Sequence, residues 1–248
     1  MNKTLARTFC LALTLPSLAL AADGLRESIA EDYAARLSPL FIHFHQNPEL
    51  PNFEFETAKR LAAEIRALGY EVTEGVGGTG IVAVLENGEG PTVMIRADMD
   101  GLPVKEDSGL PYASTATQVD ADGLERPVMH ACGHDVHITA LVGTARQMAE
   151  RRDAWSGTLV LIGQPAEERI SGARRMLEDG LYERVPKPDY ALAFHVSADG
   201  PAALSNSVVT NPRSRLGAGR VPVSATEISL LKIASGYFSK VRVLGGGA

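Results

Sequence analysis

Three short apolar runs set the architecture of this chain: Thr92-Val-Met-Ile-Arg96, Thr158-Leu-Val-Leu-Ile162 and Asp189-Tyr-Ala-Leu-Ala-Phe194. Each has the length of a strand and lacks a regular polar alternation, so each reads as a strand buried on both faces. Helical patterns lie between them. One runs from His134 to about Arg152, with Ile138, Leu141, Val142 and Met148 inside, and another from about Ser171 to Tyr182. Such strand–helix alternation implies βαβ units, and hence an α/β fold with a mainly parallel sheet flanked by helices.

Each run ends in chemistry. The first leads into Asp98 and Asp100, the second into Pro165-Ala-Glu-Glu168, and the third delivers His195. His130-Ala-Cys-Gly-His-Asp-Val-His137 holds three of the six histidines and one of the two cysteines. In a parallel sheet the C-terminal strand ends share one edge, where open α/β sheets bind ligands. Asp98, Asp100, Cys132, His134, Glu167, Glu168 and His195 all fall at that edge.

Thiolate, imidazole and carboxylate together are the ligand set of zinc and related transition metals. Two adjacent glutamates allow a division of labour. One can bind metal while the other moves a proton from a metal-activated water to a leaving amine, and their mutual repulsion favours that split. Taken singly, each group has a plainer reading: a buried small cysteine, acids at a helix start, a core histidine. Their convergence at one edge favours the site. His137 lies one helical turn from His134 and reads either as a support behind a ligand or as helix surface. As direct metal ligands, His130 and His137 are weaker candidates than Cys132, His134, Glu168 and His195.

Around this centre, an amphipathic helix spans Leu25 to about Gln46 with a kink at Pro39. It ends in His43 and His45, read as an ordinary helix end. A helix from about Glu56 to Leu68 stops at Gly69, strands cover 70–73 and 80–85, and 104–128 reads as loop. Residues 1–21 have the form of an export signal: Lys3 and Arg7, an apolar stretch from Leu11 to Leu20, and a small-residue cleavage site before Ala22. That stretch is too short to span a bilayer. The expectation is an exported protein, periplasmic or secreted, with no membrane attachment after cleavage. Its remaining cysteine, Cys132, has no internal disulfide partner and is a free thiol, an intermolecular partner or a metal ligand.

The chain is 45% hydrophobic and 22% charged, which supports a buried core rather than disorder. A net charge of −6 does not suggest a nucleic-acid binder. The character changes near the end: residues 204–248 carry one acid, Glu227, against six basic residues, and no histidine follows His195. The expected organisation is therefore a leader over 1–21, a metal-binding catalytic domain over 22–203 and an atypical tail over 204–248, with a strand at 238–244.

Five segments resemble a known family: His45–Leu50, Ile95–Pro103, Met129–His137, Gly163–Glu168 and Phe194–Val196. They resemble the amidohydrolase branch of the dinuclear metallopeptidases, which includes hippurate hydrolase, N-acyl-amino-acid amidohydrolases and indoleacetyl-amino-acid hydrolases. The resemblance implies a zinc-aminopeptidase-like catalytic domain. It implies Cys132, His134, Glu168 and His195 as metal ligands for two divalent ions (zinc, manganese, cobalt or nickel), Glu167 as general base and Asp100 as a residue that orients a ligand. Asp98 stands where related peptidases carry a histidine ligand. The implied reaction is hydrolysis of a small N-acyl amino acid by a metal-activated water. Family members also insert a lid domain that dimerises them and return with a last histidine ligand. Here only 240–247 resembles the opening of that insert, so a C-terminally truncated chain is expected. It is then an amidohydrolase by descent or a non-catalytic remnant of one. A cysteine hydrolase using Cys132 as nucleophile is the third reading.

Overall fold

The computed structural model describes residues 16–196 and 204–210. Most of the expected leader, nearly all of the tail and the strand expected at 238–244 lie outside the described residues.

Helix α1 (Pro16–Asp32) continues through a single π turn (Tyr33–Leu37) into α2 (Ser38–Gln46). At the expected kink the helix changes form: the π turn ends just before Pro39, which sits in the first turn of α2. Helix α3 (Phe55–Arg66) is capped from a distance. The carboxylate of Glu49 accepts the N–H groups of Glu56 (3.2 Å) and Thr57 (2.7 Å), which satisfies two donors that a helix start leaves free.

Strands β1 (Glu71–Val76), β2 (Gly80–Asn87) and β3 (Thr92–Asp98) follow. The expected loop over 104–128 contains a small hairpin, β4 (Thr117–Val119) with β5 (Glu125–Pro127). Three-residue strands are too short to impose a legible period. Then come α4 (His134–Glu150), β6 (Gly157–Gln164), α5 (Gly172–Glu178), α6 (Leu181–Arg184), β7 (Tyr190–Val196) and β8 (Leu204–Thr210).

The main sheet has the order β1-β2-β6-β3-β7-β8. The α/β fold holds, but the expected mainly parallel sheet is mixed. Its centre, β6-β3-β7, is parallel, while β1-β2, β2-β6 and β7-β8 pair antiparallel. The cause is short connections, which can only reverse the chain. Residues 88–91 turn it back between β2 and β3 but leave one strand's width, which β6 later fills.

Alternate side chains of the strands enter two cores. Ile81, Ala83, Leu85, Ala97, Leu159 and Leu161 pack with α2, α3 and α4 on one face. Val82, Met94, Val160, Ile162 and Ala191 pack with Met176, Leu181 and Val185 on the other. Full burial of Leu61, Ile65 or Ile138 is worth about 1.5–3 kcal/mol each. Covering both faces explains why the runs read as continuously apolar. The chain leaves β3, crosses one face through α4 to β6, then crosses the other face through α5 and α6 to β7. Beta3 lies between its two parallel neighbours, so the connections diverge at its C-terminal end, which is the ligand-binding position of such sheets.

Candidate metal centre

All the expected site residues meet at that divergence point. The ligand atoms of Cys132, His134 and Glu168 lie within 4.8 Å of one another, as do those of Asp98, His134, His137 and His195. His134 belongs to both groups, and Cys132 Sγ stands 3.5 Å from His195 Nε2.

Backbone contacts fix the histidine tautomers. His134 Nδ1 lies 2.7 Å from the carbonyl oxygen of Asp100, which can only accept, so Nδ1 carries a proton. His195 Nδ1 makes the same kind of contact, 2.6 Å to the carbonyl of Val196. Both rings therefore turn Nε2 inward, in the orientation a metal-binding imidazole adopts. His134 Nε2 and Glu168 Oε1 are buried, have no hydrogen-bond partner and stand 3.8 Å apart. Two buried, orphaned acceptor-type atoms side by side fit a divalent cation.

His137 is different. Its Nε2 accepts the N–H of Val196 at 3.0 Å, so its Nδ1–H donates to Asp98 Oδ1 at 2.5 Å. Both nitrogens are occupied and the ring is buried, so it supports Asp98 rather than lying on the helix surface. Asp98 is fully buried and its other oxygen pairs with Arg96 Nη1 at 2.6 Å. Burial alone would raise its pKa, but Arg96 and the His137 bond win and hold the carboxyl well below its usual range. Arg96 is fixed in turn by Gln164 Oε1 on the neighbouring strand at 2.9 Å.

The two glutamates leave β6 in a shaped turn. Asp100 Oδ1 accepts the amide of Glu167 and Oδ2 that of Glu168, both at 3.0 Å. Asp100 thus orients the turn and, through its carbonyl, His134. The side chain of Glu167 is 39% exposed against 20% for Glu168, which leaves Glu167 the freer to move. Burial, with Asp98 and Glu168 nearby, raises the Glu167 pKa despite Arg96. The neighbouring imidazoles of His134 and His195 lower that of the Cys132 thiol, against burial. Gly133 starts α4 at φ +81°, and a Cβ there would lie 2.4 Å from Val196 Cγ2. A glycine is needed for Cys132 and His134 to sit this close to β7.

A second cluster begins one residue away. His45 is not an ordinary helix end. Its Nδ1 contacts Asp135 Oδ2 at 2.6 Å and its Nε2 contacts Glu106 Oε1 at 3.0 Å. Burial opposes its charge, but the two carboxylates raise its pKa. Glu106 also accepts the amide of Ser114 at 2.5 Å, and Asp135 Oδ1 that of Val136 at 2.9 Å. This cluster welds α2, α4 and the 104–128 segment together. His130, buried beside it, is held neutral, its pKa pushed down to about 4 by burial.

Sequence reasoning missed Arg96, Gln164, Glu106 and Glu54. A charged residue within an apolar run was the available signal for Arg96.

Comparison with known proteins agrees with this geometry. The family model for peptidase family M20/M25/M40 matches residues 94–233. Hippurate hydrolase of Campylobacter jejuni is 43% identical over 152 residues, covering 61% of this chain and 37% of that protein. IAA-amino acid hydrolase ILR1-like 2 of Arabidopsis thaliana is 35% identical over 213 residues, covering 81% and 46%. Among solved structures, the YXEP protein of Bacillus subtilis, a dinuclear metal-binding peptidase from the M20 family, superposes with a TM-score of 0.59 at 34% identity. That match covers 69% of this chain and 45% of the other. The chain spans less than half the length of these relatives.

Proposed function

The chain belongs to peptidase family M20/M25/M40, and from that premise we propose that it carries the site of a metal-dependent amidohydrolase acting on N-acyl amino acids. The observation that carries this reading is the pair of buried, unpartnered atoms, His134 Nε2 and Glu168 Oε1, beside a second glutamate free to move. Cys132, His134, Glu168 and His195 would hold divalent metal, two ions per site as in the dinuclear relative.

A divalent ion bound there supplies Lewis acidity toward water and an amide carbonyl. The protein's own groups do the rest. Glu167, its pKa raised by burial, takes the proton of the attacking water and returns it to the departing amine. Asp100 keeps both glutamates and His134 in register. Asp98, with its charge fixed by Arg96 and His137, holds negative potential beside His134 Nε2 at 3.5 Å, which favours positive charge there.

The test is metal analysis and hydrolysis of hippurate by the purified chain, with and without chelator. Metal at one or more equivalents and chelator-sensitive hydrolysis support the reading. Stoichiometry near zero would leave a non-catalytic remnant. The contact between Cys132 Sγ and His195 Nε2 at 3.5 Å favours one other reading, a cysteine nucleophile. Activity that survives chelation and dies with a thiol reagent would decide for it. Export is proposed on the form of residues 1–21, and N-terminal sequencing of the mature protein tests it. Among the described residues, no helix is long and apolar enough to cross a membrane. A homodimer is proposed for the full-length family arrangement.

A further inference from the structure

We propose that Glu54 is a positioning residue of the centre: its carboxylate sets the Glu167–Glu168 turn by gripping the amide of Ala166. The inference rests on the metal reading above and names a residue which that reading does not use. Glu54 is fully buried. It stands just before α3, but Glu49 caps that helix, so the Glu54 side chain is free to reach elsewhere. Its Oε1 accepts the Ala166 N–H at 2.7 Å, across 112 residues of sequence. Its Oε2 accepts the hydroxyl of Thr79 at 2.5 Å, in the turn between β1 and β2.

The next two amides, of Glu167 and Glu168, go to Asp100. Three successive N–H groups are thus held by two buried carboxylates. Ala166 itself sits at φ +46°, a left-handed conformation that a residue with a Cβ adopts only under outside constraint. Successive amides around a left-handed residue form a concavity that seeks an anion. Here the protein fills it with its own carboxylates. If the Ala166 bond is lost, the left-handed residue can relax, and the two glutamates rotate away from His134.

The role requires an oxygen at one place, not a charge. Glu54→Gln keeps a carbonyl oxygen for Ala166, and its amide can donate to the Thr79 hydroxyl, which accepts as readily as it donates. Glu54→Asp keeps the charge but withdraws the oxygen by one methylene. The probe is cobalt(II) alone, titrated into the full chain and followed by the thiolate absorption band that Cys132 would give. We expect Glu54→Gln to bind like the wild type and Glu54→Asp to bind about tenfold more weakly, the loss typical of a group that orients a ligand. Thermal melts of each variant verify folding. Equal binding by a folded Glu54→Asp overturns the proposal. So does loss of binding in Glu54→Gln with retention in Glu54→Asp, since that ordering means charge. Should Glu54→Asp lose its melting transition, hydrogen exchange of the wild type decides: an Ala166 amide as protected as the β6 amides supports the proposal, and free exchange overturns it. A wild type that takes up no cobalt overturns the metal reading instead, while the Ala166 exchange still judges Glu54.

Discussion

His134 and Asp135 are neighbours in sequence, yet they serve two clusters of opposite character. The His134 cluster contains polar atoms that nothing in the protein satisfies. In the His45–Asp135–Glu106 cluster both imidazole nitrogens meet a carboxylate. Both are buried, and both mix histidine with acid. What separates them is a count of unfilled bonds. A buried polar group left unpaired costs about 1–3 kcal/mol, so the first cluster is a state held ready by its surroundings and the second is a finished weld. Side-chain type alone would have classed them together.

The largest effect that would test this contrast is on turnover. Glu167→Gln should lower hydrolysis by about 10²- to 10⁴-fold while leaving bound metal unchanged. Steady-state rates beside metal analysis check it, and near-normal turnover would remove Glu167 as the base. Next comes the weld. His45→Ala strands two buried carboxylates and should cost about 3–5 kcal/mol in urea denaturation, without changing metal stoichiometry once folded. An unchanged urea midpoint would mean the second cluster is not structural.

His137→Ala is smaller. It removes the support of Asp98 and should weaken metal affinity by about 10- to 100-fold at unchanged stoichiometry. Loss of one equivalent of metal would instead make His137 a direct ligand and blur the two categories. The smallest effect is pH dependence. The folded pKa of His45 is raised above 6.5, so its ion pairs contribute stability that is complete below the unfolded value and is lost as pH rises through the folded one. Urea midpoints of the wild type should fall between about pH 6 and about pH 9 by more than those of His45→Gln. Equal slopes would show that His45 is not the group responsible.

The sequence made the active edge legible because apolar runs ended in ligand-type residues at the right places. Cys132, His134, Glu167, Glu168 and His195 could be placed together without coordinates. Strand direction could not be read. Beta2 is as apolar as β3 because both faces of the sheet are covered, and burial erases the alternation that would mark a flank. The supporting residues were hidden for another reason. Glu54 before a helix looks like a dipole-favoured acid, and His45 at a helix end looks like a dipole-favoured base. Only tertiary contacts over 112 and 90 residues show that neither serves its own helix in that way. Ala166 gave no signal at all, since nothing in its identity announces a left-handed backbone.

The central place of β3 has a consequence for the order in which the molecule assembles. Its partners are β6 and β7, and its residue Arg96 pairs in register with Ile162 and Ala193. Both pairings bridge long stretches of chain, the slow kind of contact in folding. His195 reaches Cys132 only after β7 has docked beside β3, following two crossovers on opposite faces. Completion of the centre therefore waits on both of these long-range pairings. A metal that needs all four side chains would bind only molecules that have passed that step, so its uptake would serve as a clock for folding, timing the arrival of the final parallel strand.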